Sequence, residues 1–340
     1  MGIKIILLII FFAVMAAVGI YSRRHVTSVD GFVLGGRSVG PWLTAFAYGT
    51  SYFSAVVFVG YAGQFGWKYG IASTWIGIGN ALIGSLLAWV VLGRRTKVMT
   101  QHLGSRTMPD FFGERYKSKS LKITASVIVF VFLIPYTASV YNGLSRLFAM
   151  AFNIPYTWCV VTMAAFTALY VILGGYMATA INDFIQGIIM LIGIVAVIAA
   201  VLNGQGGFMN AIAEMAKIPS DVPLTQGQPG AFTSFFGPDP VNLLGVVLLT
   251  SLGTWGLPQM IGKFYAIKDE KSISTGTIIS TIFAIIISGG CYFLGGFGRL
   301  FDSPEIYDKA GGAVVYDSII PHMLSMLPDL LSDCLRLEGI

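Results

Sequence analysis

One carboxylate stands within the apolar part of this chain at a place where backbone and charge could act together. Gly174-Gly175-Tyr176-Met177-Ala178-Thr179-Ala180-Ile181-Asn182-Asp183-Phe184-Ile185-Gln186 is a short glycine-bearing break between two apolar runs, and Asp183 comes at the start of the second. An acidic side chain inside a membrane helix costs about 2.5–3.5 kcal/mol on insertion scales, so it needs a partner or an ion. The chemistry open to it is cation binding or proton exchange. The plainer reading is a carboxylate at the membrane edge, favouring the positive end of a helix that starts near 181 or pairing with a loop arginine.

Two other stretches could supply hard oxygen ligands. Gly49-Thr50-Ser51-Tyr52-Phe53-Ser54-Ala55 puts small and hydroxyl residues in the middle of an apolar run, and Gly60 and Gly63 loosen its outer half. Gly253-Thr254-Trp255-Gly256-Leu257-Pro258-Gln259 places two glycines and a proline in another. Pro258 lacks an N–H and clashes with the preceding turn, so a kink or unwinding is expected there. Unwound turns expose backbone carbonyls, and breaks at membrane depth are tolerated where protein or a water-filled cavity receives the freed groups. Glycine and serine also serve close helix packing, which is the competing explanation for either break alone.

What must position these residues is a set of membrane spans. Only 11% of the chain is charged and 55% is hydrophobic, against roughly 25% charged in ordinary soluble domains, and the mean hydropathy is +0.77. The apolar runs reach the roughly 20 residues that a crossing requires. Spans are expected at 3–21, 41–66, 71–93, 121–150, 156–174, 181–202, 241–265 and 273–297, with a ninth beginning near 324. Lys4 and the small residues Ala13 to Ala16 would suit a cleaved leader. Arg23, Arg24 and His25 follow at once, however, which favours an uncleaved helix with its N-terminus outside.

Fourteen of the 21 Lys and Arg fall in alternate loops. The positive-inside rule therefore puts 21–40, 94–120 and 263–272 in the cytoplasm, and 203–240 and 298–323 outside. Within 203–240, residues 210–217 could form a short interfacial helix. The net charge of +5 is confined to particular loops and does not point to nucleic acid. Cys159, Cys291 and Cys334 are too scattered for a disulfide framework or a metal site. The chain shows no His-Glu-x-x-His pair and no Ser–His or Asp–Asp pair within an apolar run, so it is not expected to be an enzyme or to need an organic cofactor. Nor is there a ring of like charges or a repeated filter loop of the kind a channel uses.

The second and seventh spans lie five apart. That spacing fits the first helices of two inverted five-helix repeats after one extra N-terminal helix, an arrangement found in secondary transporters. Four stretches resemble the sodium:solute symporter family: Leu34-Gly35-Gly36-Arg37-Ser38-Val39-Gly40-Pro41-Trp42, Thr107-Met108-Pro109-Asp110-Phe111-Phe112-Gly113-Glu114-Arg115-Tyr116, the 174–186 stretch, and Gly256-Leu257-Pro258-Gln259 with Lys263-Phe264-Tyr265-Ala266. The resemblance extends to about Ser332. It implies an all-α polytopic membrane protein, a LeuT-like inverted-repeat helical bundle. Residues 1–21 would be the extra helix, 41–202 the first repeat, 203–240 an external loop and 241–332 part of the second repeat.

The resemblance further implies sodium as coupling ion, a small organic solute and a place in the plasma membrane. The backbone carbonyls of Thr50 and Phe53 would form half of the main sodium site. Tyr52 and Ser54, with Trp75 and Thr254, would line the solute cavity. Asp183 would match the acidic residue that supports a second sodium site or the coupling step. Sugar-transporting members resemble one another in a Gln and a gate Tyr where this chain has Val57 and Thr254. With Phe58, Trp75 and Ile76 the lining is mostly apolar, which suits an amino acid or carboxylate better than a hexose, whose hydroxyls are expensive to leave unpaired. Proton coupling through Asp183 and a non-transporting sensor or scaffold are the alternatives.

The family's cation site is completed on the third helix of the second repeat, expected to start near 324–332. Instead Asp333, Arg336 and Glu338 fall within six residues of one another, which the middle of a lipid-facing span does not tolerate. Residues 333–340 are thus expected to be an aberrant tail, on a fragment that does not transport alone.

Overall fold

The computed structural model describes residues 2–26, 28–54, 56–152, 154–308 and 312–327. The 333–340 tail, Cys334 and most of the expected ninth span lie outside the described residues. Among those described the chain is helical, with two isolated β-bridges and no strand. The principal helices are α1 (Gly2–Ser22), α2 (Pro41–Tyr52), α3 (Val56–His102), α4 (Met108–Tyr116), α5 (Lys119–Phe152), α6 (Tyr156–Gly204), α7 (Phe208–Lys217), α8 (Pro240–Leu252), α9 (Pro258–Ala266), α10 (Glu270–Gly295) and α11 (Tyr316–Ser325). Helix α7 falls where the weak interfacial helix was expected.

Two of these helices are too long for one crossing. At 1.5 Å per residue the 49 residues of α6 would run roughly 74 Å, more than twice the ~30 Å hydrocarbon layer. The chain solves this with glycine. Gly175 sits at φ 55°, ψ −149°, a region closed to residues with a Cβ, and divides α6 as the Gly174-Gly175 pair foretold. Gly70, at φ 60°, ψ −142°, breaks α3 in the same way.

Both expected interruptions are present. Helix α2 stops at Tyr52, and Phe53 and Ser54 belong to no helix. The chain restarts in a wide π-helical turn, Val56–Tyr61, where Ser54 O accepts from Val57 N and Phe58 N at 3.0 and 3.2 Å. Helix α8 gives way to a 3₁₀ turn at Gly253–Gly256, and Leu257 is extended at φ −75°, ψ 126°. Pro258 then opens α9, where its missing N–H costs nothing.

The chain forms two compact units, each discontinuous in sequence. The first holds Met1–Tyr52, Leu82–Ile189 and Ser251–Phe283. Its core is aromatic: Tyr48, Trp89 and Phe264 meet with ring centroids 5.0–5.7 Å apart, and Phe46 lies 4.7 Å from Phe184 and 5.1 Å from Phe283. Glycines let these rings in. A Cβ on Gly276 would lie 2.4 Å from the Trp89 ring, and one on Gly49 2.4 Å from Phe283. Such close packing holds helices together where lipid removes the hydrophobic drive.

The second unit holds Phe53–Ala81, Met190–Thr250 and Ala284–Ile340. There the α3 stretch around Gly66 presses on the Gly295 end of α10, so closely that a Cβ on Gly66 would fall 2.0 Å from Gly295 O. Arg299 ties the next segment down. It donates to Trp67 O and to Asp221 Oδ1, each at 2.7 Å, and lies 3.9 Å over the Phe232 ring.

Candidate cation and solute site

The second piece of α6 begins at Tyr176, directly after the glycine, rather than near 181. One residue at φ 55° suffices for the turn, so no loop is needed. Asp183 therefore stands two turns inside the helix, and the first turn of this piece, Tyr176 to Thr179, carries no acid. The reading of Asp183 as a helix-end cap does not hold.

Its partner is not a loop arginine either. Pro258 starts α9, which brings Lys263 Nζ to 3.5 Å from Asp183 Oδ2. The side chains are 9% and 23% exposed, respectively. Lys263 Nζ also lies 5.3 Å from the centroid of the Tyr176 ring, whose face attracts a cation. From α2, the Thr50 hydroxyl donates to Phe46 O at 2.9 Å, with Ala47 O at 3.4 Å, and also neighbours the Asp183 carboxylate, so three acceptors compete for its one proton. The first unit thus brings together Thr50 and Asp183.

A second pair of expected residues also meets in this unit. Thr254 Oγ1 donates to Ser251 O at 2.9 Å, and the hydroxyls of Tyr52 and Thr254 are hydrogen-bonded. The Tyr52 ring rests on Gly84, where a Cβ would lie 2.1 Å from its hydroxyl oxygen. Phe53, Ser54 and Trp75 belong to the second unit. Within that unit the Trp75 indole is tied to the 203–240 segment, donating to Phe235 O at 2.9 Å and standing edge-on to its ring at 5.0 Å. Val57 and Ile76 are buried there.

Sequence reasoning missed three residues here. Lys263 was counted among the loop cations and within one of the motifs, but given no role in the site. A lysine five residues after a helix-restarting proline, inside a run read as a span, was the available signal, since charges at such depth pair with one another. Tyr176 and Gln259 gave no signal. With Lys263, Arg106, Ser126 and Tyr265 they line a cavity of about 550 Å³ in the first unit. Both polar atoms of the Gln259 side chain and the Tyr176 hydroxyl are buried without a partner among the described residues. Groups left in that condition favour water or a ligand that can meet them.

A model of the sodium:solute symporter family matches residues 32–326. The chain belongs to that family. It is 33% identical over 331 residues to sodium/proline symporter 2 of Staphylococcus saprophyticus, an alignment covering 94% of this chain and 61% of that protein. It is also 33% identical over 276 residues to the sodium/proline symporter of Staphylococcus aureus strain JH9, covering 79% of this chain and 51% of the relative. The chain thus spans 51–61% of the length of these curated relatives. A Na+-coupled sialic acid symporter, solved in a substrate-bound outward-open state, superposes with a TM-score of 0.69 at 16% identity, over 92% of this chain and 67% of that one. That likeness establishes a shared fold. The chain is an all-α polytopic membrane protein of the LeuT-like kind, as the motifs implied, and its family consists of transporters rather than enzymes.

Proposed function

We propose that this symporter couples sodium to the movement of an amino acid, proline being the first to test, across the plasma membrane. The observation that carries the proposal is the meeting of Thr50, at the interrupted end of α2, with Asp183 two turns into the second piece of α6. A hydroxyl and a carboxylate beside an unwound turn are the hard oxygen groups that suit a small monovalent cation. The relatives named as sodium/proline symporters support both the ion and the solute class, and the apolar Val57 and Ile76 suit a pyrrolidine ring better than a sugar.

On this reading the Thr50 and Phe53 carbonyls hold the main sodium ion, and Tyr52, Ser54, Trp75 and Thr254 contact the solute. Residues 41–202 form the first repeat and 241–332 part of the second. The N-terminus faces outside, and 21–40, 94–120 and 263–272 face the cytoplasm. Lys263 already answers the charge of Asp183, so a sodium ion there would have to take its place.

The test is equilibrium binding of labelled proline to the purified chain, in sodium and in choline at equal ionic strength. Retention in sodium, at least about tenfold weaker in choline (~1.4 kcal/mol), with sodium dependence lost in Asp183→Asn, is the expected outcome. Binding that ignores sodium would favour a sensor and sink the proposal, as would binding in neither medium.

A further inference from the structure

The elbow between α4 and α5 takes no part in the site above, yet it gathers basic side chains where the chain enters a span. Arg115, Lys117, Lys119 and Lys122 fall within eight positions, and the 23 residues from Ile123 to Ser145 that follow carry no charge. That stretch is roughly 35 Å of helix, enough to cross the ~30 Å hydrocarbon layer. The lysines therefore stand at the depth of the lipid headgroups.

The turn is tightly built. Lys117 closes α4 in the left-handed conformation at φ 52°, ψ 37°, a place that glycine or asparagine usually takes. Ser118 N bonds Gly113 O at 3.1 Å, and the Ser118 hydroxyl accepts from Leu121 N at 3.2 Å as α5 begins. Gly113 lets the two helices close, since a Cβ there would lie 2.9 Å from Lys122 Cβ.

The fold leaves a space in this elbow. A cavity of about 610 Å³ is lined by Lys117, Lys119 and Lys122, with Glu114, and by Ile123 and Val127 of the span. Small-molecule sites occupy about 300–1,000 Å³. Lys117 reaches Glu114 at 3.3 Å, and Lys122 reaches Asp110 at 2.6 Å. Lys119 has no ion-pair partner among the described residues. Three ammonium groups thus face two carboxylates, and the elbow keeps a positive charge.

The apolar wall is open to lipid. Ile123 and Val127 are 55% and 57% exposed, and the most apolar stretch of Lys119–Ser145 has no residue buried within the described protein. A soluble anion would gain nothing from that wall. An anionic lipid sets its phosphate beside the lysines and its acyl chain beside the apolar residues, the combination that basic pockets at span ends offer.

We propose that the α4–α5 elbow binds an anionic phospholipid, its phosphodiester among Lys117, Lys119 and Lys122 and its acyl chain along Ile123 and Val127.

The experiment is equilibrium binding of fluorescent short-chain phosphatidylglycerol, and of phosphatidylcholine with the same chains, to the purified full chain in uncharged detergent. Phosphatidylglycerol is expected to bind about tenfold tighter or more. Lys119→Gln and Lys117→Gly should each weaken it about fivefold, the effect of one basic residue at an anionic surface, and leave phosphatidylcholine unchanged. Both variants spare the fold, since Lys119 has no ion pair to lose and glycine suits the left-handed turn. Arg94→Gln removes an exposed charge of the same basic loop, outside the cavity, and should change nothing. Equal affinity for the two lipids overturns the proposal, as does an unchanged phosphatidylglycerol affinity in the Lys117→Gly/Lys119→Gln double variant. An equal loss in Arg94→Gln would also overturn it, by showing diffuse attraction, and so would displacement of the lipid by millimolar inorganic phosphate, by showing a site for a soluble anion. Should the double variant fail to fold, an unchanged affinity in Lys119→Gln alone is the refuting result.

Discussion

Removing either partner of the Asp183–Lys263 pair should cost far more than removing both. At 3.5 Å, two unit charges in an effective dielectric of about 20 attract by roughly 5 kcal/mol before desolvation is counted. Lys263→Met leaves the largely buried Asp183 carboxylate with no cation against it. Breaking a buried pair in this way costs about 3–5 kcal/mol. Asp183→Asn strands the ammonium instead, at the lower end of that range, because the Tyr176 face at 5.3 Å still attracts it. The double variant carries neither charge and should lose about 1 kcal/mol. The coupling energy is then about 5–7 kcal/mol, well beyond the roughly 0.5 kcal/mol within which independent sites add. Reversible denaturant unfolding in detergent, on all four proteins at neutral pH, measures it. Raising the salt from about 0.1 M to 1 M should change the coupling little, since buried pairs are weakly screened. Additive single variants would refute the pairing and, with it, the idea that sodium must displace Lys263 to reach Asp183.

The close contact in the second unit gives a prediction of opposite signs for one substitution. Gly66→Ala drives a Cβ into Gly295 backbone atoms at 2.0–2.1 Å and should destabilise by roughly 3 kcal/mol. Gly193→Ala meets nothing within 4 Å and should stabilise α6 by about 0.5–1 kcal/mol through helix propensity; thermal unfolding in detergent compares the two. Acid sensitivity is traceable to Asp110 in α4. Burial alone would raise its carboxyl, but the 2.6 Å pair with Lys122 and the Thr107 contact hold it below the ordinary value. Its contribution is therefore complete above the unfolded value of about 3.9 and lost as pH falls through the lower folded value. Lys122→Met should flatten stability against pH below the ordinary carboxylate value of about 3.9, whereas an unchanged acid limb would assign that loss to other carboxylates.

The breaks were legible because they are local. Gly175 has no Cβ and Pro258 has no N–H, and neither property waits on a neighbour. The apolar runs and the bias of basic loops likewise declare spans without knowledge of packing, and the four motifs carried the family. Boundaries were less legible. The helix carrying Asp183 begins five residues earlier than the apolar pattern suggested, since Tyr176 to Ala180 are no less apolar or small than the residues of a buried helix.

Partners were not legible. Thr50, Asp183 and Lys263 are separated by 133 and 80 positions, and Tyr52 and Thr254 by 202. Whether such residues meet depends on how each helix is turned about its axis, and one residue more or less turns a side chain by about 100°. Composition, glycine and proline placement and the motifs determined the membrane class, the family and where the helices break. Only the tertiary structure decided which charges answer one another, because those distances are set by packing across helices rather than by spacing along the chain.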